Sequence, residues 1–226
     1  MFLAFSLGPD QLLPVLPGVY YSLLGAILFA FSYTFVAQRF PEKTSNNIWR
    51  VPCTLILASC VWFTLALLSS KLPQIHWVAL SCFLIVIALL QRIFTIYVNR
   101  FPDCAPPSQQ IKFTELLFRG IFAGTVVATA VVLARALGPF WGAVVGGTYP
   151  ASYGSQLMLF QLKYPAKVLP SLIKTVPVGI LSTGAYATVV CLTYPHIGIL
   201  LGTLAAFGGS LCTSVLVVRL MASLKV

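Results

Sequence analysis

The residues with the most chemical promise in this chain form one stretch, Gly146-Gly147-Thr148-Tyr149-Pro150-Ala151-Ser152-Tyr153-Gly154-Ser155-Gln156. Pro150 lacks the amide proton a helix needs, and its ring clashes with the preceding turn. The glycine pair just before it makes a break easy. Thr148, Ser152, Ser155 and Gln156 add polar side chains to the same stretch. Interrupted helices of this composition are where transporters bind substrate at mid-membrane. The alternative is a plain proline kink, filled by neighbouring side chains.

Few other residues could do chemistry. Glu115 and Arg119 are four apart and share a helical face. They form either a structural pair, with the acid favoured in a first turn, or a site that couples proton or cation movement. Arg92 lies about two turns inside an apolar stretch, where it either snorkels to the interface or faces an internal anion site. Thr183, Tyr186, Ser210 and Thr213 either line a path or bond across helices. His76 and His196 fall at helix ends and read as interface residues. No Ser-His-Asp set, HExxH or Walker loop is present. With two histidines and four acids in the chain, general acid–base catalysis has few players. The expectation is a non-enzyme with no cofactor and no metal. The six cysteines form no CxxC and read as small apolar residues, with Cys104 in a loop.

The elements that must position these residues are apolar helices. The chain has 226 residues, 59% hydrophobic and 8% charged, with a mean hydropathy of +0.95. A soluble domain carries about 25% charged residues. A membrane-crossing helix takes about 20 apolar residues, and seven such stretches fill the chain, at 18–38, 51–70, 76–99, 113–134, 139–160, 170–193 and 197–218. The last two must be separate, because the uncharged run from Thr175 to Val218 is about twice a bilayer. Tyr194-Pro195-His196 is the expected break. The fold class is therefore an all-α polytopic membrane protein with seven transmembrane helices. The segment 100–110, with Asp103 and Pro106-Pro107, is the only internal boundary. It divides a three-span half (1–105) from a four-span, glycine-rich half (106–226).

The cations give the orientation. Arg39, Lys43 and Arg50 follow the first span, and Arg92, Arg100, Lys112 and Arg119 surround the loop after the third. Lys163, Lys167 and Lys174 follow the fifth, and Arg219 and Lys225 the seventh. Only Lys71 and Arg135 fall on the other side. The positive-inside rule then places the N-terminus outside and the C-terminus in the cytoplasm. The net charge of +10 is thereby accounted for without nucleic acid, which would want one basic stripe on a soluble surface. The N-terminus lacks the basic region and cleavage site of a signal peptide, so the first span is expected to act as the insertion signal. Spans one to three and four to six would have opposite topology, which admits an inverted three-plus-three repeat with a seventh helix added.

Thirteen of the sixteen glycines fall between Gly120 and Gly209. The pairs Gly120/Gly124, Gly142/Gly146 and Gly198/Gly202 let helix backbones approach. The closest packing is therefore expected in spans four to seven.

The run Leu137-Gly138-Pro139-Phe140-Trp141-Gly142-Ala143-Val144-Val145-Gly146-Gly147-Thr148-Tyr149-Pro150-Ala151 resembles the GlpM-like, DUF3147-type small integral membrane proteins of bacteria and archaea. There a Gly-Pro opens a helix, Gly-Gly follows, and Pro-Ala sits further on. Tyr194-Pro195-His196-Ile197-Gly198-Ile199-Leu200-Leu201-Gly202-Thr203 is similar to that group too. The resemblance covers about 111–218, a four-span module. It implies a membrane fold and names no substrate.

These observations lead to a small secondary transporter or channel in the plasma (inner) membrane. Gly146, Gly147, Thr148, Pro150, Ser152 and Gln156 would line its pathway, with Glu115 and Arg119 at the cytoplasmic mouth. Its partners would be membrane lipids and further copies of itself. The alternative is an accessory subunit that packs against other membrane proteins. A lipid-handling protein is a third possibility and requires a lateral opening.

Overall fold

The computed structural model describes residues 13–39, 49–98, 112–173 and 176–223, and every element among them is helical. Lys43, Arg100, Lys174, Lys225 and the proposed boundary at 100–110, with Asp103 and Cys104, lie outside the described residues. Helix α1 is Leu16–Arg39, α2 Arg50–Ser69, α3 His76–Val98 and α4 Phe113–Leu137. The fifth apolar stretch is two helices, α5 Pro139–Thr148 and α6 Ala151–Lys163. A short α7, Leu169–Ile173, leads to α8, Val176–Ser223. Five stretches are long and apolar enough to cross a membrane: Leu13–Arg39, Arg50–Ser69, His76–Ile93, Phe113–Leu137 and Ala166–Arg219.

Helix α8 doubles back on itself. The Tyr186 and Phe207 rings lie 5.7 Å apart, and a Cβ on Gly209 would sit 2.9 Å from Val189. In a straight helix those residues would be about 30 Å apart. The reversal is at Gly198, whose φ of 76° and ψ of 177° break the helix. Only glycine takes that conformation without strain. The sequence placed the break at Tyr194-Pro195-His196. Those residues stay helical, and the turn comes at the first residue able to adopt a positive φ. Tyr194 then ties the arms together, its hydroxyl 2.9 Å from Thr203 Oγ1.

The distribution of residues is inverted relative to a soluble protein. Leu57, Ile85, Ile121, Leu200 and Leu204 are exposed, while Ser22, Thr34, Thr54, Ser155 and Thr203 are buried. An exposed apolar face of this size would cost about 25 cal/mol per Å² in water; in hydrocarbon it costs nothing. The buried hydroxyls are satisfied by their own helices. Ser22 donates to Gly18 O, Thr34 to Ala30 O and Thr54 to Arg50 O, the usual answer for Ser and Thr inside helices.

The most buried helix is α1, while close approaches at glycine, such as Gly142 on Ala134 and Gly202 on Tyr194, fall in spans four to seven as expected. Of the most apolar window of α1, 72% is buried, against 6% for α4. Gly18, Ser22, Ala26, Ala30 and Thr34 recur every four residues on α1, and all five are buried. Helices α2, α3, α5 and α8 all pack on α1, and small side chains on a buried face let backbones come close. Hydrophobicity does not reveal that face, because a lipid-facing helix is as apolar as a buried one.

Four hydrogen bonds fasten α1 and α2 to the rest. Tyr20 bonds Thr188 at 3.0 Å and Tyr33 donates to Gln161 Oε1 at 2.6 Å. Ser59 bonds Tyr149 at 3.0 Å, and Gln161 Nε2 lies 3.5 Å from Thr54. The Thr188 proton is already given to Gly184 O, so Tyr20 must be the donor. Tyr149→Phe should lower stability by about 0.6 kcal/mol, the mean for such bonds between membrane helices; unfolding in mixed micelles measures it.

Candidate functional site

The break in the fifth stretch is real and short. Helix α5 ends at Thr148, and Tyr149 (ψ 125°) and Pro150 (ψ 57°) leave helical geometry before α6 starts at Ala151. Gly146 and Gly147 are still helical. The break leaves few loose groups: Tyr149 N bonds Val145 O, Thr148 Oγ1 donates to Val144 O, and Gly154 N donates to Pro150 O. Tyr149 itself is wedged against Trp62, ring to ring at 5.1 Å, and against Phe29 at 6.0 Å. The proline therefore turns an aromatic side chain into the α1–α2 interface.

A cavity of about 310 Å³ lies beside α5. Its walls are Leu16 and Val19 of α1, Val127, Ala130 and Val131 of α4, Ala143, Gly146 and Gly147 of α5, and Thr183, Tyr186, Ala187, Val190 and Tyr194 of α8. The five α8 residues recur at helical spacing and share one face. No side chain was needed at Gly147: a Cβ there would meet nothing within 4 Å. The volume falls at the lower end of the ~300–1,000 Å³ range of ligand sites.

The residues proposed from sequence divide into three places. Gly146 and Gly147 line the cavity, together with Thr183 and Tyr186. Thr148 and Pro150 are buried in the break, Gln156 is half-buried on α6 and Ser152 is exposed; none of these four lines the cavity. Glu115 and Arg119 lie near the other end of α4. From Glu115 to Val127 is twelve residues, about 18 Å along the helix. Their expected mutual pairing is replaced: Glu115 forms an ion pair with Lys163 at the end of α6. The Arg119 Nε is buried without a hydrogen-bond partner among the described residues. Arg92 is exposed, six residues before the end of α3. Sequence reasoning missed the α1 and α4 walls. Leu16, Val19 and Ala130 carry no chemistry and become wall residues only through helix packing.

Among the described residues, no three His, Cys, Asp or Glu side chains come together as a metal site would need. No charged side chain lines the cavity. Its only side-chain polar atoms are hydroxyls. Thr183 donates to Gly179 O. Thr203 gives its proton to Ile199 O, so Tyr194 must donate to Thr203. The Tyr186 hydroxyl is hydrogen-bonded with Tyr194 and Thr203, so the three hydroxyls of this face are engaged with protein groups.

Comparison with protein-family models, curated proteins and solved structures returns no match.

Proposed function

We propose that this is a small secondary transporter or channel of seven crossings, with its pathway through the cavity beside Gly146 and Gly147. The observation that carries the reading is a ligand-sized cavity at a helix interruption, inside an apolar helical bundle. Substrate sites in transporters fall at such interruptions. In this reading α1 to α4 cross once each, α5 and α6 together once, and the two arms of α8 once each. The alternation of cations supports an outside N-terminus and a cytoplasmic C-terminus, in a plasma-type membrane. The GlpM-like resemblance of 137–151 and 194–203 belongs to the same proposal and adds no substrate.

Internal likeness favours a two-part architecture different from the inverted one. Gly18, Tyr20, Gly25, Leu28 and Phe31 match Gly147, Tyr149, Gly154, Leu157 and Phe160 at identical spacing. Further on, Arg39-Phe40-Pro41 parallels Lys163-Tyr164-Pro165, and Val51-Pro52 parallels Val176-Pro177. These matches pair span one with five and span two with six, in the same direction, with α4 as the helix between. The hydrogen bonds follow the same exchange: Tyr20 of one half bonds α8 of the other, and Tyr149 bonds α2. Parallel repeats of this kind place substrate at the interface between the halves.

An accessory-subunit reading has one observation of its own. Gly120 and Gly124 on α4 face nothing within 4 Å, a bare helix face that another chain could cover. Gly202, by contrast, is packed against Tyr194 within its own chain.

Native mass spectrometry of gently extracted protein separates the two. A discrete homo-oligomer, or a monomer, carrying only lipid or a small ligand supports transport; stoichiometric foreign chains overturn it. Once a ligand mass is in hand, Pro150→Ala should lower flux about tenfold by straightening α5 into α6 and withdrawing Tyr149. Gln156→Ala, away from the cavity, should change flux less than twofold. Equal fluxes for wild type and Pro150→Ala would move the pathway elsewhere.

A further inference from the structure

The cavity has a chemistry and a door. Its walls come from four helices in a ring. Helix α4 packs on α5, α5 on α1, and α1 on α8, but α4 and α8 have no extended packing against each other. The ring is open on that side. The consequence is visible in exposure: Val127, in the middle of α4, and Gly146 and Gly147, in the last turn of α5, are exposed. The opening sits beside Val127 and Val131 on α4, well inside its apolar length, so it faces hydrocarbon and not water. Neighbouring outward residues such as Val132, Leu192 and Leu204 are exposed and apolar, as a lipid-facing surface must be.

Resting on the transport reading, we propose that the cavity takes an uncharged, single-chain lipid-soluble molecule, entering sideways between α4 and α8. A fatty alcohol or a monoacyl ester has this chemistry. A charged group would enter with no counter-charge and lose its hydration, which costs several kcal/mol in such surroundings. An apolar chain loses nothing on leaving the bilayer for Val19, Val131, Ala187 and Val190. The hydroxyls of Thr183, Tyr194 and Tyr186 are already engaged with Gly179, Thr203 and Tyr194, so the lining demands no polar partner from a ligand. The site also lies where the two matching stretches meet, 16–19 of the first half and 143–147 of the second.

The test uses full-length protein in phosphatidylcholine vesicles with a diazirine-bearing dodecanol, and a diazirine-bearing dodecyl phosphate as its charged counterpart. The alcohol should label the 127–131 and 183–190 segments on illumination, and the phosphate should not. Gly147→Leu, at a wall position where a Cβ meets nothing within 4 Å, should reduce labelling about tenfold, as loss of room for two methylenes would. Leu204→Phe, on the outer surface, should leave it unchanged. Labelling spread evenly over outward faces, or unaffected by Gly147→Leu, overturns the proposal. A second measurement separates its failure from that of the transport reading. Thr183→Cys is introduced into a chain whose six native cysteines are replaced, and is treated with a charged methanethiosulfonate. If that reagent reacts while dodecanol does not label, the cavity is an aqueous path: the ligand class is wrong and transport stands. If neither reaches it, both readings fall.

Discussion

Gly142→Leu should be among the most damaging single substitutions in this protein. Gly142 is buried where α5 turns back against α4. A Cβ there would collide with the Ala134 side chain and approach the Ala130 carbonyl to 3.1 Å. Neither can move aside, because one is a methyl on a helix and the other is backbone. Overpacking of this kind costs about 1–3 kcal/mol or more, and here it would also pry open the wall formed by Ala130 and Ala143. The expected result is a lower unfolding midpoint in mixed micelles. Gly124→Leu is the control, since its Cβ meets nothing within 4 Å, and should stay within about 0.5 kcal/mol of wild type. If Gly124→Leu were the damaging one, α4 would be covered by another chain, and a change in particle size would show it.

The second large effect is at Gln161. Its Oε1 accepts from Tyr33 at 2.6 Å, and both side chains are buried. Gln161→Leu removes the acceptor and leaves the buried Tyr33 hydroxyl without it. Such a group costs about 1–3 kcal/mol. Thr54 is spared, because its proton already goes to Arg50 O. The diagnostic result is therefore the double variant. Tyr33→Phe with Gln161→Leu should be more stable than Gln161→Leu alone, because the orphaned donor is gone. Simple additivity in the double-mutant cycle would mean that Gln161 acts through packing only.

The helices themselves were legible because bilayer thickness imposes a length on apolar runs. Eight of the expected boundaries, both ends of α1, α2 and α3 and the starts of α4 and α5, coincide with the observed ones to within two residues. The break before Ala151 was legible for the same kind of reason: proline states its own geometry. The reversal in α8 was placed a few residues early, because Pro195 is tolerated near the end of a helical arm whereas the turn needs the positive φ of Gly198. What stayed hidden depends on distant partners. Glu115 has Arg119 four residues away, yet it pairs with Lys163, 48 residues on. Likewise, the cavity walls at Val19 and Val131 have no signature beyond being small or branched. Four of the thirteen lining residues, Gly146, Gly147, Thr183 and Tyr186, were therefore readable, while the other walls and the open side were not.

The inverted distribution of residues also governs how this sequence can drift. On α4 and the second arm of α8, lipid is indifferent to whether a position holds Leu, Ile, Val or Phe, so neutral exchange there should be rapid. On α1, each of Gly18, Ser22, Ala26, Ala30 and Thr34 is bounded by a neighbouring helix, and any enlargement meets it. A saturation mutagenesis library would thus find its intolerant positions on the less apolar helix and its permissive ones on the greasiest. Distant kin of this chain should therefore be sought by the four-residue rhythm of small side chains on α1, since the apolar lettering around it carries little inheritance.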